Sequence, residues 1–288
     1  MKLVLATPLY PPEIGGPATY AKALVDGLPS RGIEVELVKF SDVRHLPKLV
    51  RHFAYYRRVR AAARAADGVL ALDPVSVGLP AMRAAKSAQK PFFVKVVGDY
   101  AWEQGRQRFG VAEELDEFVK TAQSGRVRLL QKIQTRVAAA ATRVIVPSDY
   151  LKRIVTAWGI PAEKIEVIVN AMEKMADPGN RTALRHLLNF KGRLIVSVGR
   201  LVPWKGFDAL IETLPMLTKR FSDLKLFIIG DGPDRARLGD AARRAGVESE
   251  VIFAGRMEHD VLLRYLRVAD VFALNSTYEG LSHLLLEA

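Results

Sequence analysis

The sequence predicts an α/β fold in two doubly wound halves, each a parallel sheet covered by helices. Three observations carry the expectation. Short runs rich in Val, Ile and Leu alternate with longer segments of helical period, the pattern of parallel strands joined by crossover helices. The series of strand-like runs starts twice, at Lys2 and again at Leu194, with a turn-rich interval between. Loops bearing glycine or charge follow directly on several strands, where open α/β sheets bind their ligands.

In the first half the expected strands are Lys2–Thr7, Val35–Phe40, Gly68–Leu72, Pro91–Val97, Arg143–Val146 and Ile165–Val169, with helices such as Thr19–Pro29 and Gly125–Thr142 between them. Strands resume at Leu194–Val198, Lys225–Ile229, Val251–Phe253 and Val271–Leu274, separated by helical segments Phe207–Phe221, Arg235–Ala245 and His259–Val268. The interval Ala171–Lys191 lacks a strand period and contains Asp177-Pro178-Gly179-Asn180, a strong turn sequence. The expected organisation is therefore one domain over 1–170, a hinge over 171–191 and a second domain over 192–288. Glu279-Gly280-Leu281-Ser282 reads as the opening of a further helix, so the second domain is expected to be incomplete at Ala288.

A chain of 288 residues suits two domains of roughly 100–200 residues each. Hydrophobic residues at 49% and charged residues at 26% are those of a globular chain, not a disordered or fibrous one. With no cysteine there is neither disulfide nor thiolate chemistry, and no run approaches the roughly 18 apolar residues of a spanning helix. A cytoplasmic protein, peripheral at most to the membrane face, is the expectation. The net charge of +12 is uneven: 26 Lys/Arg against 16 Asp/Glu fall in residues 1–172, and 17 against 15 in the remainder. That bias calls for an anionic partner. No aromatic-basic RNA signature or zinc-finger spacing accompanies it, so nucleic acid is not expected.

Four strand-end loops carry the chemistry. Gly15-Gly16 precedes Pro17 and opens a helix; without Cβ atoms its backbone can approach an anion, although a tight turn alone would also explain it. Gly199-Arg200-Leu201-Val202-Pro203-Trp204-Lys205-Gly206 puts two cations on one loop, a guanidinium fork and a point charge suited to a diphosphate, or else two solvated surface cations. Gly230-Asp231-Gly232-Pro233 begins like a dinucleotide fingerprint, but Arg235 stands where the third glycine belongs. In the fourth, Glu279 and Glu287 flank Gly280, Leu281 and Ser282, with Glu279 at a helix mouth and Glu287 about two turns inside. One carboxylate suits a sugar and the other a ribose; helix cap and surface glutamate are the plainer readings of each.

Taken in order, the Gly15-Gly16 loop, Val146-Pro147-Ser148, the Asn170 segment, Gly199-Arg200-Leu201 with Lys205-Gly206, Gly230-Asp231-Gly232-Pro233, Gly255 and Glu279-x7-Glu287 resemble the retaining glycosyltransferases of family 4 over essentially the whole chain. The resemblance implies the GT-B architecture, two Rossmann-like domains facing across a cleft. It implies that Arg200 and Lys205 hold the diphosphate of a nucleotide-sugar donor, Glu279 contacts the transferred sugar, Glu287 holds the ribose and Gly16 approaches phosphate or sugar. Gly230, Gly232, Gly280, Leu281 and Ser282 complete the donor site. No metal and no cofactor beyond the donor are implied, and the acceptor is a glycan or a lipid-linked molecule. The family's histidine after the fourth strand is missing from Lys95-Val96-Val97-Gly98-Asp99; Asp99 either takes its place at the sugar or caps a helix. A sugar-nucleotide epimerase of the same fold and a non-catalytic nucleotide-sugar-binding protein are the alternatives.

One segment stands apart. Residues 43–66 hold Arg44, Lys48, Arg51, Arg57, Arg58, Arg60 and Arg64 without a single acid, while Leu46, Leu49, Val50, Phe53 and Tyr56 recur at helical spacing. A basic amphipathic helix of this kind suits an anionic membrane surface; a helix packed on the sheet by that stripe, its arginines solvated, is the other reading.

Overall fold

The structure is a computed structural model that describes residues 1–13, 15–170, 178–282 and Leu285, without the side chain of Leu49. The chain divides into two compact units, Met1–Asn170 and Ala171–Ala288.

In the first unit the order is β1 (Lys2–Thr7), α1 (Gly16–Gly27), β2 (Glu34–Lys39), α2 (Lys48–Arg64), β3 (Gly68–Ala71), α3 (Gly78–Ser87) and β4 (Phe92–Lys95). It continues through α4 (Tyr100–Arg108), α5 (Leu115–Phe118), α6 (Gly125–Ala140), β5 (Arg143–Val146), α7 (Asp149–Ala157) and β6 (Ile165–Val167). The six strands form one parallel sheet in the order β2-β1-β3-β4-β5-β6. Helices cover both faces, so the inner strands are apolar throughout rather than alternating; β1 and β3 are buried almost end to end. Leu3, Leu5, Leu70 and Leu72 pack with Ala21 of α1 on one side. On α2, Tyr55, Val59 and Ala63 are buried, and α2 lies along α3, whose Ala81, Ala84 and Ala85 are buried too.

This alanine-lined packing corrects the stripe expected for α2. Of its predicted members, Val50 and Phe53 are 50% and 62% exposed. The buried stripe runs through Tyr55, Val59, Ala62 and Ala63 instead, because small side chains let two helices approach closely. The first helix also starts earlier than expected, at Gly16 rather than Thr19, with Pro17 in its first turn.

The second unit runs α8 (Arg181–Leu187), β7 (Leu194–Val198), α9 (Phe207–Arg220), β8 (Lys225–Ile229), α10 (Arg235–Arg244), β9 (Val251–Gly255), α11 (His259–Val268) and β10 (Val271–Phe272). Its parallel sheet has the order β10-β7-β8-β9. Alternation along β8 is clean: Leu226 and Ile228 face Phe207, Ile211, Leu214 and Leu238, while Phe227 and Ile229 face Leu184, Leu262 and Val268. Helix α8 falls inside the interval expected to be a hinge. Leu184 is buried in the core of this unit, so that part of the interval belongs to the second unit. Residues 171–177 lie outside the described residues.

Asp270 ties α8 to the sheet. Its carboxylate accepts from the Leu194 backbone N–H at 2.8 Å and from Arg181 at 2.5 Å, with Arg185 at 3.3 Å. Partial burial alone would raise its pKa, but that N–H and the two guanidiniums outweigh it and leave the pKa below the ordinary carboxylate value. A depressed pKa contributes stability at neutral pH that is lost as pH falls through the folded-state value. Asp270→Asn is expected to destabilise the protein by about 1 kcal/mol at pH 7, a deficit that shrinks toward pH 3, as read from urea unfolding at several pH values.

Candidate functional site

In each sheet the strand order reverses at one point, and there the loops diverge and leave room for a ligand. In the first unit the reversal lies between β1 and β3, and in the second between β7 and β10. The loops that follow β7 and β10 are the ones that bear Arg200, Lys205 and Glu279.

The loop after β7 is held by what it buries. Leu201, Val202 and Trp204 are all buried, which fixes the backbone between them and leaves Arg200 outside, exposed and without an ion pair or hydrogen bond among the described residues. The loop after β8 lies directly on it: Leu201 N–H donates to Asp231 O at 3.1 Å, and Asp234 N–H to Leu201 O at 3.1 Å. Gly230 makes this approach possible. Its φ is +137°, and a Cβ there would stand 1.9 Å from the Gly199 carbonyl oxygen. The loop after β10 closes in from the other side, with Thr277 N–H donating to Trp204 O at 3.0 Å and Asn275 Nδ2 to Gly206 O at 3.3 Å. Gly206 is left-handed at φ +63°, and a Cβ there would meet the Asn275 carbonyl at 2.2 Å.

This convergence brings Lys205 Nζ to 2.5 Å from Glu279 Oε1, which also accepts from Ser276 Oγ at 2.7 Å. Lys205 and Glu279 are 74 residues apart in sequence and form a largely shielded pair. Gly232, Gly280, Leu281 and Ser282 lie on the same loops, and Ser282 Oγ accepts from Leu285 N–H, the bond of a helix cap. Ser276 was not anticipated; a serine three residues before a glutamate in a loop carries no distinctive signal. Glu287 lies outside the described residues.

In the first unit Gly15 caps α1 without a side-chain bond, and a Cβ built on Gly16 would meet no atom of the described residues within 4 Å. The space beside Gly16 is therefore open. Of the two readings of Asp99, the structure displays the helix cap. Asp99 is 1% exposed, and its oxygens accept from Trp102 N at 2.9 Å, Gln134 Nε2 at 3.0 Å and Trp158 Nε1 at 2.9 Å. Burial raises its pKa against the pull of these donors.

Lys95 is a functional candidate the sequence reading passed over. It ends β4, is 1% exposed, donates to Asn170 Oδ1 at 2.5 Å, and its ammonium sits 3.5 Å from the centroid of the Tyr20 ring. Burial lowers its pKa to about 8. The available signal was a lysine inside the apolar run Phe92-Phe93-Val94-Lys95-Val96-Val97. Among the described residues no three His, Cys, Asp or Glu side chains gather as a metal site would require.

The model of Glycosyltransferase Family 4 matches residues 14–173, more than half of the chain, and that of Glycosyl transferases group 1 matches residues 180–288. The chain belongs to glycosyltransferase family 4. It is 32% identical over 170 residues to the GDP-mannose-dependent alpha-(1-6)-phosphatidylinositol monomannoside mannosyltransferase of Mycobacterium tuberculosis, covering 55% of this chain and 44% of that protein. It is 25% identical to an uncharacterized glycosyltransferase of Methanocaldococcus jannaschii over 100% of this chain and 78% of that one. The chain thus spans under half the length of the mycobacterial relative. Among solved structures, Anabaena HepE in complex with UDP-glucose superposes with a TM-score of 0.73 at 20% identity, over 100% of this chain and 78% of that one. WaaG, a glycosyltransferase involved in lipopolysaccharide biosynthesis, does so at 0.69 and 18% identity, with coverage of 100% and 78%. These likenesses show the fold, the two Rossmann-like units of the GT-B class.

Asp99→Ala is expected to lower stability by about 2–3 kcal/mol, since it strips an acceptor from three donors, among them the buried Gln134 side chain and the buried Trp102 backbone N–H. A melting curve reads the loss. An unchanged melting temperature would show that the cap is dispensable.

Proposed function

We propose that the protein transfers a sugar from a nucleoside diphosphate sugar to an acceptor hydroxyl, with retention of anomeric configuration and without a metal. The observation that carries the reading is the meeting of Lys205 and Glu279 at the reversal point of the second sheet, with Arg200 exposed on the same loop after β7. A diphosphate leaving group needs its developing charge balanced, and a guanidinium with an ammonium on one rigid loop does so without reorganisation. The nucleotide sugars of its relatives and neighbours, GDP-mannose for the mycobacterial mannosyltransferase and UDP-glucose in the HepE complex, support a donor of this class.

In the proposed reaction the bond from the anomeric carbon to the diphosphate breaks while the acceptor oxygen bonds to the same face of that carbon. The acceptor proton passes to a diphosphate oxygen. Arg200 and Lys205 stabilise the departing diphosphate, and Glu279 lies beside the sugar that acquires positive character. Before the donor arrives, Glu279 neutralises Lys205; when the diphosphate takes Lys205, the carboxylate is released toward the sugar. Asp99, with its oxygens engaged inside the first unit, has no direct part in this scheme.

Calorimetric titration with UDP and GDP tests the assignment. Arg200→Ala and Lys205→Ala are each expected to weaken the preferred nucleotide about tenfold or more, since each removes a charge-assisted contact worth roughly 1.5–3 kcal/mol. Glu279→Gln, by freeing Lys205, is expected to keep or raise that affinity while sugar transfer from UDP-glucose or GDP-mannose falls by about 100-fold. Unchanged nucleotide affinity in both cation variants would remove the diphosphate site. Nucleotide binding with no transfer by the wild type would favour the non-catalytic alternative, and interconversion of donor sugars the epimerase.

A membrane-proximal acceptor is the second part of the proposal, and the exposure of Phe53 among arginines favours it. On α2, Val50, Phe53, Arg57 and Arg64 follow each other along one face, and the Phe53 ring stacks on Tyr56 with centroids 6.2 Å apart. An exposed aromatic on a basic helix suits an anionic lipid surface. Co-sedimentation with anionic vesicles is expected to fall at least fivefold when Phe53 becomes Ser and Arg57, Arg60 and Arg64 become Gln, each basic residue contributing about 1 kcal/mol near such a surface. Equal binding to neutral and anionic vesicles would exclude it.

A further inference from the structure

The described residues contain two buried side-chain donor atoms without a hydrogen-bond partner, Arg51 Nε and Gln107 Nε2. A buried donor left unpaired costs free energy that a ligand acceptor would recover. Both atoms belong to helices that begin at the carboxyl edge of the first sheet. Arg51 lies in the first turn of α2, and Gln107 lies two turns beyond Tyr100 on the same face of α4.

The surroundings of Arg51 are built. Its guanidinium carbon rests 5.7 Å from the centroid of the Phe40 ring, a stacking arrangement that suits a planar guanidinium. The neighbouring His52 packs on Phe40 at 5.3 Å and hydrogen-bonds to the Ser76 backbone, which joins the first turn of α2 to the loop after β3. That loop borders the reversal point of the first sheet. The half-buried Tyr100 hydroxyl lies within electrostatic range of Arg51, Arg108, Asp73 and Glu103. Asp73 does not compete for Arg51: its Oδ1 accepts from Val75 N at 2.7 Å, from Ser76 Oγ at 2.9 Å and from the Ser76 N–H, and it forms no ion pair among the described residues.

We infer that Arg51, with Tyr100 within electrostatic range, binds an anionic group of the acceptor, a phosphate or a comparable oxyanion, at the carboxyl edge of the first sheet. The word acceptor rests on the transferase reading above; the anion site itself does not. The source of the anion is a soluble phosphorylated molecule or a lipid headgroup, which share the phosphoryl chemistry.

Glycerol 3-phosphate and glycerol are titrated calorimetrically into the wild type, Arg51→Gln, Arg51→Lys and, as a charge-matched control, Arg128→Gln, an exposed arginine of α6. The wild type and Arg128→Gln are expected to bind glycerol 3-phosphate and not glycerol, with at least tenfold weaker binding in Arg51→Gln and partial recovery in Arg51→Lys. Should Arg51→Gln fail to fold, Tyr100→Phe takes its place, with a loss of about threefold expected. No phosphate-dependent binding, or equal binding by the wild type and Arg51→Gln, overturns the inference. Competition by phosphatidylglycerol vesicles but not phosphatidylcholine vesicles assigns the anion to a lipid headgroup, and its absence to a soluble molecule; either result upholds the site. UDP and GDP titrated into the same samples report on the second unit, so failure of the transferase reading is seen separately.

Discussion

Backbone lies against backbone at the carboxyl edge of the second sheet, and the geometry of the candidate site depends on that contact. Gly230 stands where any Cβ would fall 1.9 Å from the Gly199 carbonyl, and Gly206 where one would fall 2.2 Å from that of Asn275. Side chains at these positions would push three loops apart, and an ammonium now 2.5 Å from its carboxylate would lose it. Burial of Leu201, Val202 and Trp204 beneath the same loop fixes it from below. The cations are therefore carried by a backbone with little freedom to relax, the condition for electrostatic preorganisation.

The first unit handles charge differently. It holds most of the basic excess, yet two of its ionisable groups are almost wholly buried: Asp99 caps α4 and gathers Trp102, Gln134 and Trp158, and Lys95 joins β4 to Asn170. Their pKa values move in opposite directions, up for the acid and down for the amine, because burial disfavours the charged form of each. What remains for an incoming anion lies at the strand ends and along α2, where Arg51 is unpaired among the described residues and Phe53 stands in solvent.

Strands were the most legible part of the sequence, because parallel strands covered on both faces appear as unbroken apolar runs; β1, β5, β7 and β8 coincide with their expected bounds. The fourth and sixth strands and the last one are shorter than expected, since their apolar tails continue past the final ladder pair. Helix faces were less legible. The buried side of α2 combines Tyr55 and Val59 with two alanines, Ala62 and Ala63, which contribute little hydrophobic contrast, so the larger Val50 and Phe53 drew the expected stripe to the wrong side. Helix α8 was hidden among turn residues for the same reason: in seven residues, only Leu184 is buried.

By itself the sequence determined the α/β class, the restart of the strand series near Leu194, and the residue types at each strand end, since apolar runs, glycines and charges are local properties of the chain. It could name Arg200, Lys205 and Glu279 but not their relation. Only the tertiary structure decided that Lys205 and Glu279 meet while Arg200 does not join them, that Asp99 turns inward, and that Arg51 and Tyr100 share one edge. Strand order is the physical reason. The reversal between β7 and β10 makes residues 74 positions apart into neighbours, and no local pattern along the chain records which strands will pair.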